Sequence, residues 1–184
     1  KMDFLTGRFN ADEQKVFAEY NTAAAYEYHL AGNKTAARYF AEKALSRFAL
    51  IPGQKAYKYD ATDALYLTGD YPKTKHHLEK ELKKNPASDD LLIYLAQTEA
   101  AMGNEGKALG IFAKYDTLQR VYWRRHEFSY HTDYLKARIN ALLGKKQQAV
   151  ALVQNALKEG QLCHSWDFDR DVFLQCLADY GPFK

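Results

Sequence analysis

From the amino end, the chain alternates stretches whose apolar positions recur at the three-to-four-residue spacing of a helix with short polar breaks. Four of those breaks carry a glycine: Leu30-Ala31-Gly32-Asn33, Leu67-Thr68-Gly69-Asp70, Ala101-Met102-Gly103-Asn104 and Leu142-Leu143-Gly144-Lys145. The glycines lie 37, 34 and 41 residues apart. A helix that reverses within a few residues needs a left-handed backbone at its end, which glycine adopts without a Cβ clash. The pattern predicts a helical hairpin repeated with a period of about 34 residues.

Aligning the chain on these glycines exposes a second regularity. Seven residues before each stand Ala25, Thr62, Ala96 and Ala137, and five residues after stand Ala37, Thr74, Ala108 and Ala149. Small residues at both places let the two helices of a hairpin approach closely. Nine residues after each glycine, Ala41, Leu78, Phe112 and Val153 are expected to face the next hairpin. Upstream, Asn10-Ala11-Asp12-Glu13 can start a helix that runs through Val16, Phe17 and Tyr20 into the first unit.

The glycine turn flanked by small positions, with Asp70-Tyr71 and Pro86 punctuating the second unit, resembles the tetratricopeptide repeat family. Residues 57–86 match best; 21–50 and 130–157 match well; the third unit lacks the terminal proline and has a longer exit. The resemblance implies an all-α fold, a superhelix of helical hairpins, with three parts. Residues 1–20 are a lead-in segment and the start of the first helix, 21–160 form four hairpins, and 161–184 are a capping segment. The tail, Ser165-Trp166-Asp167-Phe168-Asp169-Arg170-Asp171 with Phe173, Leu174, Leu177 and Tyr180-Gly181-Pro182-Phe183, resembles the end of tetratricopeptide arrays in bacterial signalling proteins. Trp166, Phe168, Phe173 and Leu177 are expected to cover the last hairpin, because an open solenoid end exposes an apolar face.

Hairpins of this family line a groove with their first helices, and the resemblance places Tyr26, His29, Tyr59, Asp63, Tyr66, Gln97, His131, Tyr134 and Arg138 there as partner-contacting residues. Glu19 and Thr22 fall in the same register. Tyrosine combines an apolar ring with a hydroxyl at small entropic cost, which suits a groove that binds a peptide or a neighbouring domain. Some members of the family grip a terminal carboxylate with Lys, Asn and Arg; here those positions hold Ala23, Asp60, Tyr94 and Leu135, against that particular specificity. The function implied is a noncatalytic protein-interaction scaffold. The alternatives are a regulatory arm of a larger signalling enzyme, a kinase or a cyclase, and an RNA-binding repeat protein.

The RNA alternative rests on a secondary patch in the exit of the third unit, where Arg120, Trp123, Arg124 and Arg125 can stack on bases and neutralise phosphates, or grip acidic side chains. The plainer expectation has Trp123 packed in a hairpin joint and the arginines paired with Glu127, Asp133 or solvent. A second basic stretch, Lys73, Lys75, His76, His77, Lys80, Lys83 and Lys84, is interrupted by Glu79 and Glu81 and reads as a solvated helix face.

Composition adds little that narrows the function. With 184 residues, 47% hydrophobic and 27% charged, the chain is long enough to bury a core unaided, and a net charge of +3 does not by itself call for nucleic acid or a membrane. It has no uncharged apolar run of spanning length, and Lys1-Met2-Asp3-Phe4 does not resemble a secretory signal, so the expected location is cytoplasmic. Cys163 and Cys176 are too few for a disulfide framework and are read as reduced thiols. The sequence has no phosphate-cradling glycine motif, nucleophile elbow or zinc-protease histidine pair, so no metal, cofactor or catalytic residue is expected. Asp167-Phe168-Asp169-Arg170-Asp171 lacks the glycine and distal glutamate of a calcium loop and is expected to cap a helix or pair with Arg170.

Overall fold

A computed structural model describes residues 9–51, 58–123, 132–159 and 170–183. These are all-α: α1 (Ala11–Leu30), α2 (Lys34–Phe48), α3 (Lys58–Leu67), α4 (Tyr71–Lys84), α5 (Asp89–Ala101), α6 (Glu105–Trp123), α7 (Thr132–Leu142) and α8 (Lys146–Lys158), with no strand among the described residues. Two short 3-10 turns, Gln175–Leu177 and Gly181–Phe183, follow. No helix of the described residues is long and apolar enough to cross a membrane.

Gly32, Gly69, Gly103 and Gly144 all sit in the left-handed region, at φ between 73° and 76°. A Cβ added at any of them would meet nothing within 4 Å, so the backbone angle and not crowding calls for glycine. The turns close alike: the N–H of Asn33, Asn104 and Lys145 reaches back to the carbonyl of Tyr28, Glu99 and Asn140, satisfying helix-end acceptors. At Gly69 a side chain takes part instead. The Thr68 hydroxyl donates to the Leu65 carbonyl at 2.7 Å and accepts from the Asp70 N–H at 3.1 Å.

The small positions explain the packing. Ala25, Thr62, Ala96, Ala137, Ala37, Thr74, Ala108 and Ala149 are each 0% exposed. The hydroxyl of Thr74, in the first turn of α4, donates to the Leu65 carbonyl of α3 at 3.1 Å, so a polar residue fits that joint without an orphaned group. Ala41, Leu78, Phe112 and Val153 are buried too.

The chain divides into two compact units, residues 1–74 and 75–184. In the first, α1 packs against α2 and α3 around Ala18, Ala44, Phe48, Ile51 and Ala64. A capping box starts α1: the Glu13 N–H donates to Asn10 Oδ1 at 3.0 Å, and the Asn10 N–H to Glu13 Oε2 at 2.8 Å. The helix then continues without a break through Tyr20 and Asn21, joining lead-in and first hairpin. In the second unit Leu78 of α4 meets Leu91 and Leu95 of α5. The α5/α6 hairpin contributes Leu92, Ile93, Ala96, Ala100, Ala108, Phe112 and Tyr115 to a core that includes Ile139 of α7. The longer spacing before Gly144 is partly helix: α6 extends through the exit as far as Trp123.

Candidate functional site

Five of the six described residues lining a groove in the first unit come from one face of α1. Glu19, Thr22, Ala23, Tyr26 and Glu27 follow the helical i, i+3, i+4, i+7, i+8 spacing, and Asp63 completes the lining from α3. The groove is open to solvent and has a volume of about 320 Å³. Ala23 leaves room in its floor. The Thr22 hydroxyl donates to the Ala18 carbonyl at 3.0 Å, which satisfies it within α1. Lys15 stands 3.3 Å from Glu19 on the exposed side of α1. Three carboxylates therefore border a cavity with a tyrosine, and no described lining residue is cationic.

Tyr26 and Asp63, both expected in a groove, lie in this one, as do Glu19 and Thr22. His29, one turn beyond Tyr26, is half-buried, and its imidazole is held below the ordinary value by burial first and by the charge of Lys34 second. It is thus biased toward the neutral form, a donor and acceptor rather than a cation. Tyr66 is buried, with its ring 5.3 Å from that of Tyr71. Burial raises the pKa of the Tyr71 hydroxyl, and a hydrogen bond with Tyr66 offsets part of that rise. In this structure Tyr66 thus packs against Tyr71 and presents little surface.

On the second unit the expected groove residues meet the chain's own tail. Arg138 Nε donates to Asp171 Oδ2 at 2.7 Å, the Tyr134 hydroxyl donates to the same oxygen, and the Phe173 N–H donates to Asp171 Oδ1 at 2.9 Å. The Arg138 guanidinium lies 4.8 Å from the centre of the Tyr134 ring and 5.1 Å from that of Phe173, and Tyr94 meets Phe173 edge-on at 6.3 Å. Burial acts to lower the Arg138 pKa, but the Asp171 charge outweighs it and the guanidinium is held above its ordinary value. The Tyr134 hydroxyl is raised by burial first and by the Asp171 carboxylate second. Leu174 and Leu177 complete an apolar cluster with Tyr134, Ala137, Ala141, Val150 and Val153. Tyr134 is buried and Arg138 already grips a carboxylate, so in this structure neither offers the open contact expected of it.

Gln97 is 1% exposed, with no hydrogen-bond partner for its Nε2, and is likewise withdrawn from any surface. Arg120 pairs with Asp116 one turn earlier on α6 at 2.7 Å and is otherwise largely in solvent; Glu127 lies outside the described residues. The side chains of Tyr59 and Trp123, and Arg124, Arg125 and His131 altogether, lie outside the described residues, as do Trp166 and Phe168.

Two polar features escaped the sequence reading. Asp171 pairs with Arg138, 33 residues earlier. Lys75, read as part of a solvated basic face, meets the buried Glu99 at 2.7 Å, and Asn104 Nδ2 donates to the other Glu99 oxygen at 2.7 Å. Burial pushes the Glu99 carboxyl up, but the hydrogen bonds from Lys75 and Asn104 outweigh it and hold the group below its usual value. A usable signal existed for the second: Glu99 lies within a run of buried α5 positions, where an acid needs a partner.

Among the described residues, no set of three or more His, Cys, Asp or Glu side chains is arranged to hold a metal ion. Comparison with protein-family models, curated protein sequences and solved structures gives no match.

Proposed function

We propose that the chain is a tetratricopeptide-like array that acts as a noncatalytic interaction module, receiving an extended protein segment in the α1/α3 groove of its first unit. The observation that carries this reading is the groove itself: Glu19, Thr22, Tyr26 and Asp63, which share the family's inner register, line one open cavity. The four like glycine turns and the buried small residues beside them support the repeat architecture. An extended segment suits such a surface, because aromatic and apolar walls supply burial while polar groups at the rim select.

Panning a displayed peptide library on the purified chain tests the reading. Recovered peptides are expected to lose binding to an Asp63→Lys variant and to retain it with Lys80→Glu, a change at an exposed position on α4. Peptides that lose binding with Lys80→Glu and keep it with Asp63→Lys would reject the groove.

A further inference from the structure

We infer that the α5/α7 face of the second unit is a docking site in its own right, for a protein segment with an aspartate two positions before a phenylalanine and a leucine after it, and that the chain's own tail occupies it in cis. The inference is independent of the α1/α3 groove. Asp171-Val172-Phe173-Leu174 shows the recognition. The Asp171 carboxylate accepts from Arg138 Nε at 2.7 Å and from the Tyr134 hydroxyl, both on α7. The Phe173 ring meets the Arg138 guanidinium at 5.1 Å and Tyr94 of α5 edge-on at 6.3 Å. Leu174 and Leu177 are buried in the apolar cluster built on α7 and α8. A desolvated charge pair, a ring contact and two apolar anchors on one short segment are what a linear recognition motif brings to its receptor.

Two observations separate this segment from the ordinary packing of a chain end. The first is the surface it uses. Tyr134 and Arg138 lie ten and six residues before Gly144, and Tyr94 lies nine before Gly103. At those same offsets from Gly32, Thr22, Tyr26 and Ala23 line the open cavity of the first unit. The tail thus rests on positions that border open space where no tail covers them, and between residues 170 and 183 it does so with 3-10 turns and no α-helix. The second is a polar group that the tail leaves unsatisfied. Gln97 is 1% exposed, and its Nε2 has no hydrogen-bond partner. It lies three residues after Tyr94 on α5, a spacing that makes helix positions neighbours. Buried donors are almost always paired, so a segment that brought an acceptor to Gln97 would complete the site. The tail tolerates the defect because attachment to the same chain gives it an effective concentration on the order of 1 mM, and an untethered partner must bind better to displace it.

The test uses the whole chain and a fluorescein-labelled peptide of residues 170–183, followed by anisotropy and by amide shifts in nuclear magnetic resonance. With Asp171→Ser and Phe173→Ser together, the chain's own tail loses its charge pair and its ring contact. This opened variant is expected to bind the peptide about tenfold more tightly than wild type or better, because wild type keeps a tethered competitor. Peptides carrying Asp171→Asn or Phe173→Ala should bind the opened variant about tenfold more weakly, and adding Arg138→Met to it should weaken the unaltered peptide to the same degree. Adding Arg38→Met instead, on α2 where Arg38 pairs with Glu42 at 2.9 Å, should change nothing. Bound peptide should shift amides of α5 around Tyr94 and of α7 around Arg138, and a displayed library panned on the opened variant should return an acid two positions before an aromatic. Circular dichroism checks that each variant is folded. If the opened variant is not, wild type decides: unlabelled peptide at several times the roughly 1 mM effective concentration of the tail should shift the Phe173 and Leu177 amides as it takes their place. The inference is overturned by a folded opened variant that takes no peptide, by binding that ignores Arg138, by library peptides without the acid and aromatic pair or, where no opened variant folds, by unmoved Phe173 and Leu177 amides. A peptide that shifts α1 and α3 in place of α5 and α7 would support the first-unit groove and reject this site, whereas failure of that groove leaves this one standing.

Discussion

Replacing Asp171 by asparagine measures what holds the tail to the second unit. The carboxylate is 5% exposed and accepts from three donors: Arg138 and Tyr134 on one oxygen, and the Phe173 N–H on the other. Asparagine keeps the shape but offers one acceptor oxygen, so either the Arg138 and Tyr134 pair or the Phe173 N–H loses its partner. Hydrogen bonds to charged groups contribute roughly 1.5–3 kcal/mol, and an unpaired buried donor costs its desolvation. Arg138 retains 24% side-chain exposure, and hydration there returns part of the loss, which puts the expected destabilisation near 2 kcal/mol. For a chain of this size that is a fall in Tm of about 4–8 °C. Denaturant titration of wild type, Asp171→Asn, Arg138→Met and the double variant should give a coupling of at least about 1 kcal/mol. Additive effects, or a single variant within about 0.5 kcal/mol of wild type, would refute the reasoning and leave Leu174 and Leu177 as the main anchors of the tail.

Two further outcomes follow from the turn and from the buried acid. Gly103→Ala places a Cβ in open space but forces an L-residue to φ 76°, so it should cost about 1–2 kcal/mol in denaturant midpoint with unchanged helix content; no loss would mean that the turn relaxes. The Lys75–Glu99 pair makes stability depend on pH at both ends. Glu99 has a lowered folded pKa, so its contribution is present above the ordinary glutamate value of 4.5 and is lost as pH falls through the folded value. Lys75, raised by Glu99, contributes below its ordinary 10.5 and loses that contribution as pH rises through its folded value. The stability gap between wild type and Glu99→Gln should therefore hold near neutrality and shrink at about pH 3; a gap that persists there assigns the effect to packing.

The helices and their turns were legible because each rests on a local constraint repeated four times. A left-handed residue at a helix end selects glycine wherever it occurs, and a close helix pair selects a small residue at the same offset from it. Aligning Gly32, Gly69, Gly103 and Gly144 therefore recovers Ala25, Thr62, Ala96 and Ala137 with no three-dimensional information, and these prove completely buried. The Arg138–Asp171 and Lys75–Glu99 pairs obey no such rule. Their partners are 33 and 24 residues apart, neither separation recurs, and a charged residue among other charges on a helix is normally solvated. The position of Lys75 among other lysines hid a residue whose partner is buried.

For the candidate site, register alone was insufficient, because positions at the same offset from the turn glycine meet different surroundings. Tyr26 lies six residues before Gly32, as Arg138 does before Gly144; yet Tyr26 borders an open cavity and Arg138 closes on Asp171. Tyr66 and Tyr134 carry the same ring into two buried settings, one against Tyr71 and one beneath Arg138. What separates docking from packing is the neighbour that covers each position, and in the second unit that neighbour is the tail, through Asp171, Phe173 and Leu174. A buried ring that has lost its water gains little from a partner, whereas Tyr26 has surface left to bury. Of the groove positions that are described, those on α1 and α3 around Tyr26 and Asp63 border an open cavity, so the proposed docking is placed there and not against the tail.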